Sequence, residues 1–403
     1  MGQTKMEAPE RPSGGDSMTS QPLVCIALAT YHPQPTFFEK QIASLIAQRY
    51  ENWVAVVQDD SIDPEVSRYI QSVLTHKDPE GSRFSFEANP ARLGVYGNFE
   101  RALNRLPNGT ELIALCDQDD IWHPDKLTTL VPVFSSPAVM LVHSDMRIID
   151  EQDNLLSASC WDLENRNPGN QSLSLQILRN SVTGCSAIFR RQIIELALPF
   201  PVRAPNERFL HDAWLATIAL ALGEIVPISA PLIDYRFHDR NQIGPGIGSG
   251  QLVRFKDFRP WEMLVVRCLR WLRSCQRDWR ARRRLWLEMK TRSGRLPSRP
   301  DRSLLQTYPW FNGVPDLGIQ TMILAALAAR SGHCNFSQGM RIAWGKLADD
   351  IFLRFNGTPK WFGRFFPNDK STSDNRCSGR PEGHPVVTRS PNPNVGNEIQ
   401  QPT

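Results

Sequence analysis

The chain has 403 residues, of which 41% are hydrophobic and 22% charged, with a formal net charge of +4. This composition can fill a sizeable core and excludes a globally disordered chain, and the charge excess is too small to argue for nucleic acid. Its eight cysteines are scattered with no CxxC pair, which reads as reduced thiols in a cytosolic protein and excludes a disulfide-stapled scaffold.

Residues 1–21 are polar, contain Pro and Gly, and are expected to be disordered; they lack the apolar core of a signal peptide. Leu23 to Thr30 (LVCIALAT) reads as a buried strand that ends at Tyr31-His32-Pro33. Thr36 to Arg49 follows as a helix with Phe37, Phe38, Ile42, Leu45 and Ile46 on one face. Trp53 to Val57 is a second strand, ending in Gln58-Asp59-Asp60, and Pro64 to Leu74 a second helix. A weaker strand, Arg83 to Glu87, leads through Asn89, Arg92 and Gly94 to a helix from Asn98 to Leu106. Glu111 to Cys116 is again apolar and bounded, as a buried strand should be. It ends abruptly in Asp117, Asp119 and Asp120, and Pro124 then suits the first turn of another helix.

Strands and helices thus alternate four times in about 100 residues, which implies parallel strands joined by right-handed crossovers. In such sheets the ligand crevice lies at the strands' carboxyl ends, where the polar residues cluster. Asp117 and Asp119 are two apart, so around a turn their oxygens can converge on one divalent cation, which favours hard oxygen ligands and completes its shell with phosphates. The plain alternative is a solvated acidic turn with an N-cap aspartate. No GxGxxG follows the first strand and no GxxxxGK[ST] exists, so a dinucleotide fold is disfavoured and a P-loop excluded. Phosphates would then be held through a metal.

Further along, Leu127 to Phe134 reads as a helix and Val139 to His143 as a strand followed by Ser144-Asp145. Asp150 to Asn154 is a hairpin turn. Ser172 to Arg179 is a helix, Ser186 to Phe189 a short strand after Thr183-Gly184-Cys185, and a helix begins at Arg191. Phe209 to Leu222 is a helix opened by His211-Asp212-Ala213-Trp214, and Leu232 to Phe237 a strand ending at His238. Residues 251–300 hold 15 Lys/Arg against 4 Asp/Glu. There Trp261, Leu264, Cys268, Leu272, Cys275, Trp279 and Trp286 recur at helical spacing between arginines. One reading of this basic amphipathic helix, residues 260–290, is peripheral contact with an anionic membrane; the other packs its Trp face on the preceding α/β domain. Residues 317–329 and 340–353 read as two more helices, and the chain from 368 as a disordered tail. No run of about 18 apolar residues occurs, so no transmembrane helix is expected.

With these residues on the page, the first 245 or so resemble a family 2 glycosyltransferase of GT-A fold, and more narrowly the rhamnosyltransferase-like bacterial members that build cell-surface polysaccharide. The resemblance rests on ATYHP (Ala29–Pro33), QDDSIDP (Gln58–Pro64), ALCDQDDIWHPDKL (Ala114–Leu127), TGCSAIF (Thr183–Phe189), HDAW (His211–Trp214) and YRFH (Tyr235–His238) with Asn241, in the family's order. Ser61 stands where the family usually has Gly. The resemblance implies an α/β domain over 22–245, mostly parallel in its sheet and flanked by helices, with a basic, mostly helical extension over 246–367 and a tail over 368–403. It implies nucleotide-sugar contacts from Thr30, Tyr31, Asp59, Asp60, Arg92, Asn98 and Asp117, with Tyr31 stacking on a pyrimidine and Asp59 accepting its ring N–H. It further implies a divalent cation, Mg2+ or Mn2+, at Asp119, Asp117 and His238.

Inverting transfer needs one carboxylate beside the acceptor hydroxyl, and Asp212, near the start of an otherwise apolar helix, is the expected general base. Asp60 has a helix cap as its alternative role, Asp145 a plain turn role, and His211 is the second choice for base. The expected activity is single-sugar transfer from a nucleoside-diphosphate sugar, such as dTDP-rhamnose, to a saccharide or lipid-linked acceptor. Gln276-Arg277-Asp278-Trp279 lacks the QxxRW spacing of processive members. A non-catalytic binding protein and a nucleotidyltransferase are the alternatives; intact Asp59, Asp117, Asp119 and Asp212 speak against the first, and the lack of a Gly-rich basic loop after the first strand against the second. The expected location is the cytoplasm, with peripheral contact to the inner face of the plasma membrane.

Overall fold

The structure is a computed structural model, and it describes residues 21–164, 166, 168–169, 172–178, 180–202, 211–238 and 260–295. The chain divides into two compact units, Met1–Arg354 and Phe355–Thr403; everything described lies in the first. The predicted helices at 317–329 and 340–353 and both predicted disordered tails fall outside the described residues.

The expected βα alternation is present as β1 (Val24–Thr30), α1 (Pro35–Ile46), β2 (Trp53–Asp59), α2 (Pro64–Lys77), β3 (Phe84–Ala88), α3 (Gly94–Leu103) and β4 (Leu112–Cys116). β3, β2, β1 and β4 lie side by side and parallel. β1 is buried on both faces, and its period of two sorts its residues. Val24, Ile26 and Leu28 join a core with α1 and α2, whereas the smaller Cys25, Ala27 and Ala29 face a second core that holds Phe99, Trp214 and Ile218. The small side chains there let α3 approach the sheet.

The second half departs from an all-parallel reading. The chain continues as β5 (Ile121–Trp122), α4 (Lys126–Leu130), β6 (Val139–Ile149), β7 (Leu155–Ser157), α5 (Cys160–Leu163), α6 (Leu173–Leu178), β8 (Ala187–Arg190), α7 (Gln192–Ala197), α8 (His211–Leu222), β9 (Glu224–Arg236) and α9 (Pro260–Arg292). The strand order is β3-β2-β1-β4-β8-β6-β9-β5, with β7 paired to β6. β8 runs antiparallel to both β4 and β6, while β6 and β9 are parallel. The sheet is mixed because β8, entered through a short 3-10 turn, Gly184–Ser186, inserts antiparallel between β4 and β6.

Several boundaries move. α3 starts at Gly94, four residues ahead of the expected Asn98, because Gly94 takes φ +72° at the helix entry. β6 continues through Ser144-Asp145 to Ile149, so neither residue is in a turn. β9 begins at Glu224 and carries Pro227 and Pro231 across pairing irregularities with β6. The predicted helix Leu127–Phe134 is α4 followed by a 3-10 segment, Val131–Ser135, that Pro132 introduces.

The basic helix is real, but its Trp face is occupied. Trp279, Leu285, Trp286 and Met289 are buried in the core that contains Trp214. Arg292 donates to the carbonyls of Leu196, Ala197 and Pro199 at 2.6–2.8 Å, and its guanidinium lies 4.9 Å from the Trp214 ring. It thereby caps the C-terminus of α7, where the helix dipole favours a cation. Trp279 and Trp286 are therefore unavailable to a lipid surface, and for them the packing alternative holds. Among the described residues no helix is long and apolar enough to cross a membrane. Cys25, Cys116, Cys160 and Cys185 are free thiols, and they and Cys275 are buried.

Candidate active site

Parallel pairing brings the carboxyl ends of β1, β2 and β4 to one edge, with Thr30 opposite Asp59 and Leu28 opposite Cys116. The turn after β2 is closed on itself. Asp59 is fully buried; its Oδ1 accepts from Thr30 Oγ1 (3.0 Å), Ser61 Oγ (2.6 Å) and Ser61 N (3.3 Å), and its Oδ2 from Ser67 Oγ (3.1 Å). Asp60 accepts from Asn89 Nδ2, Leu93 N and Gly94 N at 2.7–2.9 Å. It thus serves the N-terminus of α3, not α2, whose cap is Asp63. Asn98 Nδ2 donates to the carbonyls of Thr30 and Gln58, and its Oδ1 accepts from Asn89. Thr30, Asp59, Asp60 and Asn98, expected to contact the nucleotide, are all buried, and their polar atoms make hydrogen bonds among the strand ends. They form the floor that fixes the strand ends.

What this floor presents is Tyr31. It is 39% exposed, and the Arg92 guanidinium stands 4.4 Å from its ring centroid. The next residue, His32, has φ +41°, and Ile62 in the neighbouring turn has φ +55°. Both lie in the left-handed region that disfavours L-residues, most of all β-branched ones, and such strain persists only where the surroundings over-determine it. Here they do: His32 N donates to Ser61 Oγ at 2.8 Å, and Asp60 N to Thr30 O at 2.9 Å. On the other side, Tyr31 N donates to Gln118 Oε1 at 2.7 Å, and Gln118 Nε2 to Tyr31 O at 3.2 Å.

The turn after β4 is the opposite of closed. Asp117 is half-buried, and desolvation, then the charges of Asp119 and Asp212, push its carboxyl up to about 7. Asp120 is fully buried and pushed well above the usual carboxylate range by desolvation and then by Asp119 and Asp117. Its Oδ1 accepts from Arg236 N at 3.1 Å, whereas its Oδ2 has no hydrogen-bond partner. Asp119 Oδ2 lies 2.9 Å from His238 Nε2, two residues past the end of β9. The short antiparallel pairing of β5 with β9 makes this possible, placing Ile121 opposite Asp234. Asp117, Asp120 and Cys185 each offer a ligand atom within 4.8 Å of one another.

Two charged residues beneath the turn escaped sequence reading. Lys126 is fully buried; its Nζ donates to Cys185 O at 2.6 Å and stands 3.3 Å from the Trp122 ring centroid. Burial pulls its ammonium down to about 7 against the opposing pull of its acidic neighbours. Arg236, also fully buried, donates to Asp119 O (2.9 Å), Asp150 O (3.0 Å) and Asp153 Oδ1 (2.5 Å), with its guanidinium 4.3 Å from the Phe37 ring. The only sequence signal for Lys126 was a cation among Trp122, Leu127 and Leu130 at helical spacing.

Asp212 opens α8 and faces this turn closely enough for its charge to act on Asp117. Burial raises its carboxyl to about 6, against the lowering pull of Ala213 N–H, Arg166 and the Asn180 side chain. Gly184 sits against it: a Cβ there would meet His211 Nε2 at 3.2 Å and Asp212 Cβ at 3.5 Å. His211 itself stacks on Phe99 at 4.2 Å, which suits a positioning role better than proton transfer. Arg166, donating to Thr183 Oγ1 and Ser181 O, ties the loop that ends at Gly184; nothing in the sequence pointed to it. Asp145, on β6, accepts from Ser159 Oγ, Cys160 N and Trp161 N and anchors α5.

The fold and site define an α/β domain with a carboxylate-lined cleft at the C-terminal edge of parallel strands. Residues 25–196 match the model of Glycosyl transferase family 2. An uncharacterized glycosyltransferase of Nostoc sp. is 26% identical over 212 residues, covering 51% of this chain and 62% of that protein. An uncharacterized protein of Sinorhizobium fredii is 33% identical over 129 residues, covering 31% of this chain and 13% of that protein. The chain therefore spans less than two thirds of the length of these curated relatives. Among solved structures, a mannosyltransferase of Pyrobaculum calidifontis in complex with GDP-Man and Mn2+ aligns at TM-score 0.46 and 16% identity, over 84% of this chain and 89% of that chain.

Proposed function

We propose that the chain is an inverting, non-processive glycosyltransferase that moves one hexose, of the rhamnose type, from a nucleoside-diphosphate sugar to a saccharide or lipid-linked saccharide in cell-surface polysaccharide synthesis on the cytoplasmic side. The observation that carries this reading is the juxtaposition of Asp212 with the acidic turn. A desolvated carboxyl raised to about 6 is poised to exchange a proton near neutrality, and it faces the turn whose carboxyls Asp117 and Asp120 are raised by desolvation and by neighbouring carboxylates.

The donor set of that turn fits a divalent cation. Asp117 and Asp119 supply hard oxygens and His238 a nitrogen already beside Asp119. Mutual repulsion among the carboxylates is what a cation would relieve. Cys185 is a poorer ligand for Mg2+ or Mn2+: burial holds its thiol well above its ordinary range, and sulfur is soft. Asp120 supports the turn from below through Arg236 N. A bound cation supplies Lewis-acid stabilisation of the charge on the departing diphosphate.

The chain's own residues do the rest. Tyr31, with Arg92 beside it, offers a face to the base, and the buried Thr30, Asp59, Asp60 and Asn98 hold that face in place. Asp117 meets the ribose side of the donor. Asp212 takes the proton of the acceptor hydroxyl, and the acceptor's oxygen bonds to the anomeric carbon as the bond from that carbon to the diphosphate oxygen breaks. Gly184, lacking a side chain, leaves room for Asp212 to be reached.

The test is a panel of UDP-, dTDP- and GDP-sugars scored by thermal shift with Mn2+ or with chelator, since a ligand bound to the folded state raises apparent stability. Binders are then incubated with saccharide acceptors and the product anomer read by NMR. No metal-dependent shift with any donor, or a product of retained configuration, would sink the proposal.

A further inference from the structure

The middle residue of the acidic turn has a task that the cation reading leaves unused. β1 and β4 stop pairing at Leu28 opposite Cys116, yet the two chains stay joined past that point. Tyr31 N donates to Gln118 Oε1 at 2.7 Å and Gln118 Nε2 donates to Tyr31 O at 3.2 Å, across 87 residues of sequence. One side-chain amide thus satisfies both backbone groups of one residue, as a further rung of a ladder would. This clasp acts on one edge of the Tyr31-His32 turn, while Ser61 holds the other edge through His32 N. Without Gln118 the left-handed φ of His32 would be constrained from one side only, and the Tyr31 ring would be free to leave the face it shows to the cleft. Two neutral hydrogen bonds are a modest net contribution to folding, so their effect falls on where the ring points more than on whether the domain folds.

We infer that Gln118 is a positioning residue for the donor's base: through its two-bond clasp on the Tyr31 backbone it couples the acidic turn that meets the diphosphate to the aromatic face that meets the base. The inference rests on the nucleotide-sugar reading above. It makes a directional claim about ligands. Base-bearing ligands should feel Gln118, and a diphosphate without a base should not.

The experiment is a double-mutant cycle on the full chain, with Tyr31→Ala, Gln118→Leu and both together. Calorimetry measures the affinity for whichever of UDP, dTDP and GDP the wild type binds best with Mn2+, and for inorganic pyrophosphate with Mn2+. Tyr31→Ala should weaken nucleotide binding roughly 5–100-fold, the span of an aromatic–base stack. Gln118→Leu should weaken it about 3–10-fold, as the loss of one or two hydrogen bonds allows. In the Tyr31→Ala background Gln118→Leu should add nothing, because residues that act through one another are not additive. Pyrophosphate affinity should stay within about twofold throughout, on the scale at which uncoupled sites behave. Gln118→Asn, one methylene short of the clasp, should give the same ordering if the leucine variant does not fold. Additive losses, or equal losses for nucleotide and pyrophosphate, would overturn the role of Gln118 while leaving the nucleotide-sugar reading standing. A wild type that binds no nucleoside diphosphate, or a Tyr31→Ala variant of unchanged affinity, would overturn the base reading and this inference with it.

Discussion

Two strand ends in this molecule carry paired aspartates, and they have opposite fates. After β2, Asp59 and Asp60 are buried and saturated by hydroxyls, an amide and the backbone N–H groups at the start of α3. After β4, Asp117 and Asp120 are desolvated and crowded by like charge, with one buried carboxylate oxygen left without a partner. The first turn is built for stability and the second at the expense of it. Perturbed carboxylates of this kind cluster at functional sites, and the contrast supports the proposed role of the second turn.

The largest effect expected is on turnover. Asp212→Asn should lower kcat by about 10²–10⁴-fold, the usual worth of a positioned general base, while nucleotide affinity measured by calorimetry stays near wild type. Wild-type turnover in that variant would remove Asp212 from the role. Next, Asp119→Ala should erase the Mn2+-dependent part of donor binding; a variant that still gains affinity from Mn2+ over chelator would place the cation elsewhere.

Stability sharpens the contrast directly. Asp59→Ala orphans the hydroxyls of Thr30, Ser61 and Ser67 and should cost roughly 1.5–3 kcal/mol in urea unfolding. Asp117→Asn removes a crowded, desolvated charge and should leave stability unchanged or higher at pH 8 without metal. Equal losses in the two variants would erase the distinction between the turns.

The pH responses follow with fixed signs. The base must be unprotonated to act, so kcat/KM should climb through about pH 6 as Asp212 loses its proton, and the climb should vanish in Asp212→Asn. For stability, Asp212 and Asp117 have folded values of about 6 and about 7 against 3.8 as the ordinary value. The folded state is thus the tighter proton binder between these limits. Their contribution therefore declines as pH rises from about 4 to about 7, and the melting temperature measured in chelator should decline with it. The smallest effect concerns α9: Arg292→Met should cost about 1 kcal/mol, by removing a charged cap from the C-terminus of α7, and should leave donor affinity untouched.

Much of this architecture was legible from the chain. Runs such as LVCIALAT and ELIALC carry the apolar continuity of strands buried on both faces, and the amphipathic period of α1 and α2 is local in origin. Polar residues at strand ends were legible, and Asp119 and His238, each expected as a metal ligand, lie 2.9 Å apart. Hydrophobic pattern and turn chemistry act over a few residues, so a linear reading reaches them.

What the pattern could not reveal is how each carboxylate is met. Asp59 and Asp117 look alike as strand-end aspartates, and only the neighbours that folding supplies tell them apart. Lys126 reaches Cys185 across 59 positions, Arg236 reaches Asp119 across 117, and Gln118 reaches Tyr31 across 87. The antiparallel return of β8 and the pairing of β5 with β9 create those meetings. The sequence by itself settled the α/β class, the edge where chemistry gathers and the residue types present there. The tertiary structure decided which acids are neutralised and which are left exposed to one another, because compensation of a buried charge depends on distance in space and not on separation along the chain.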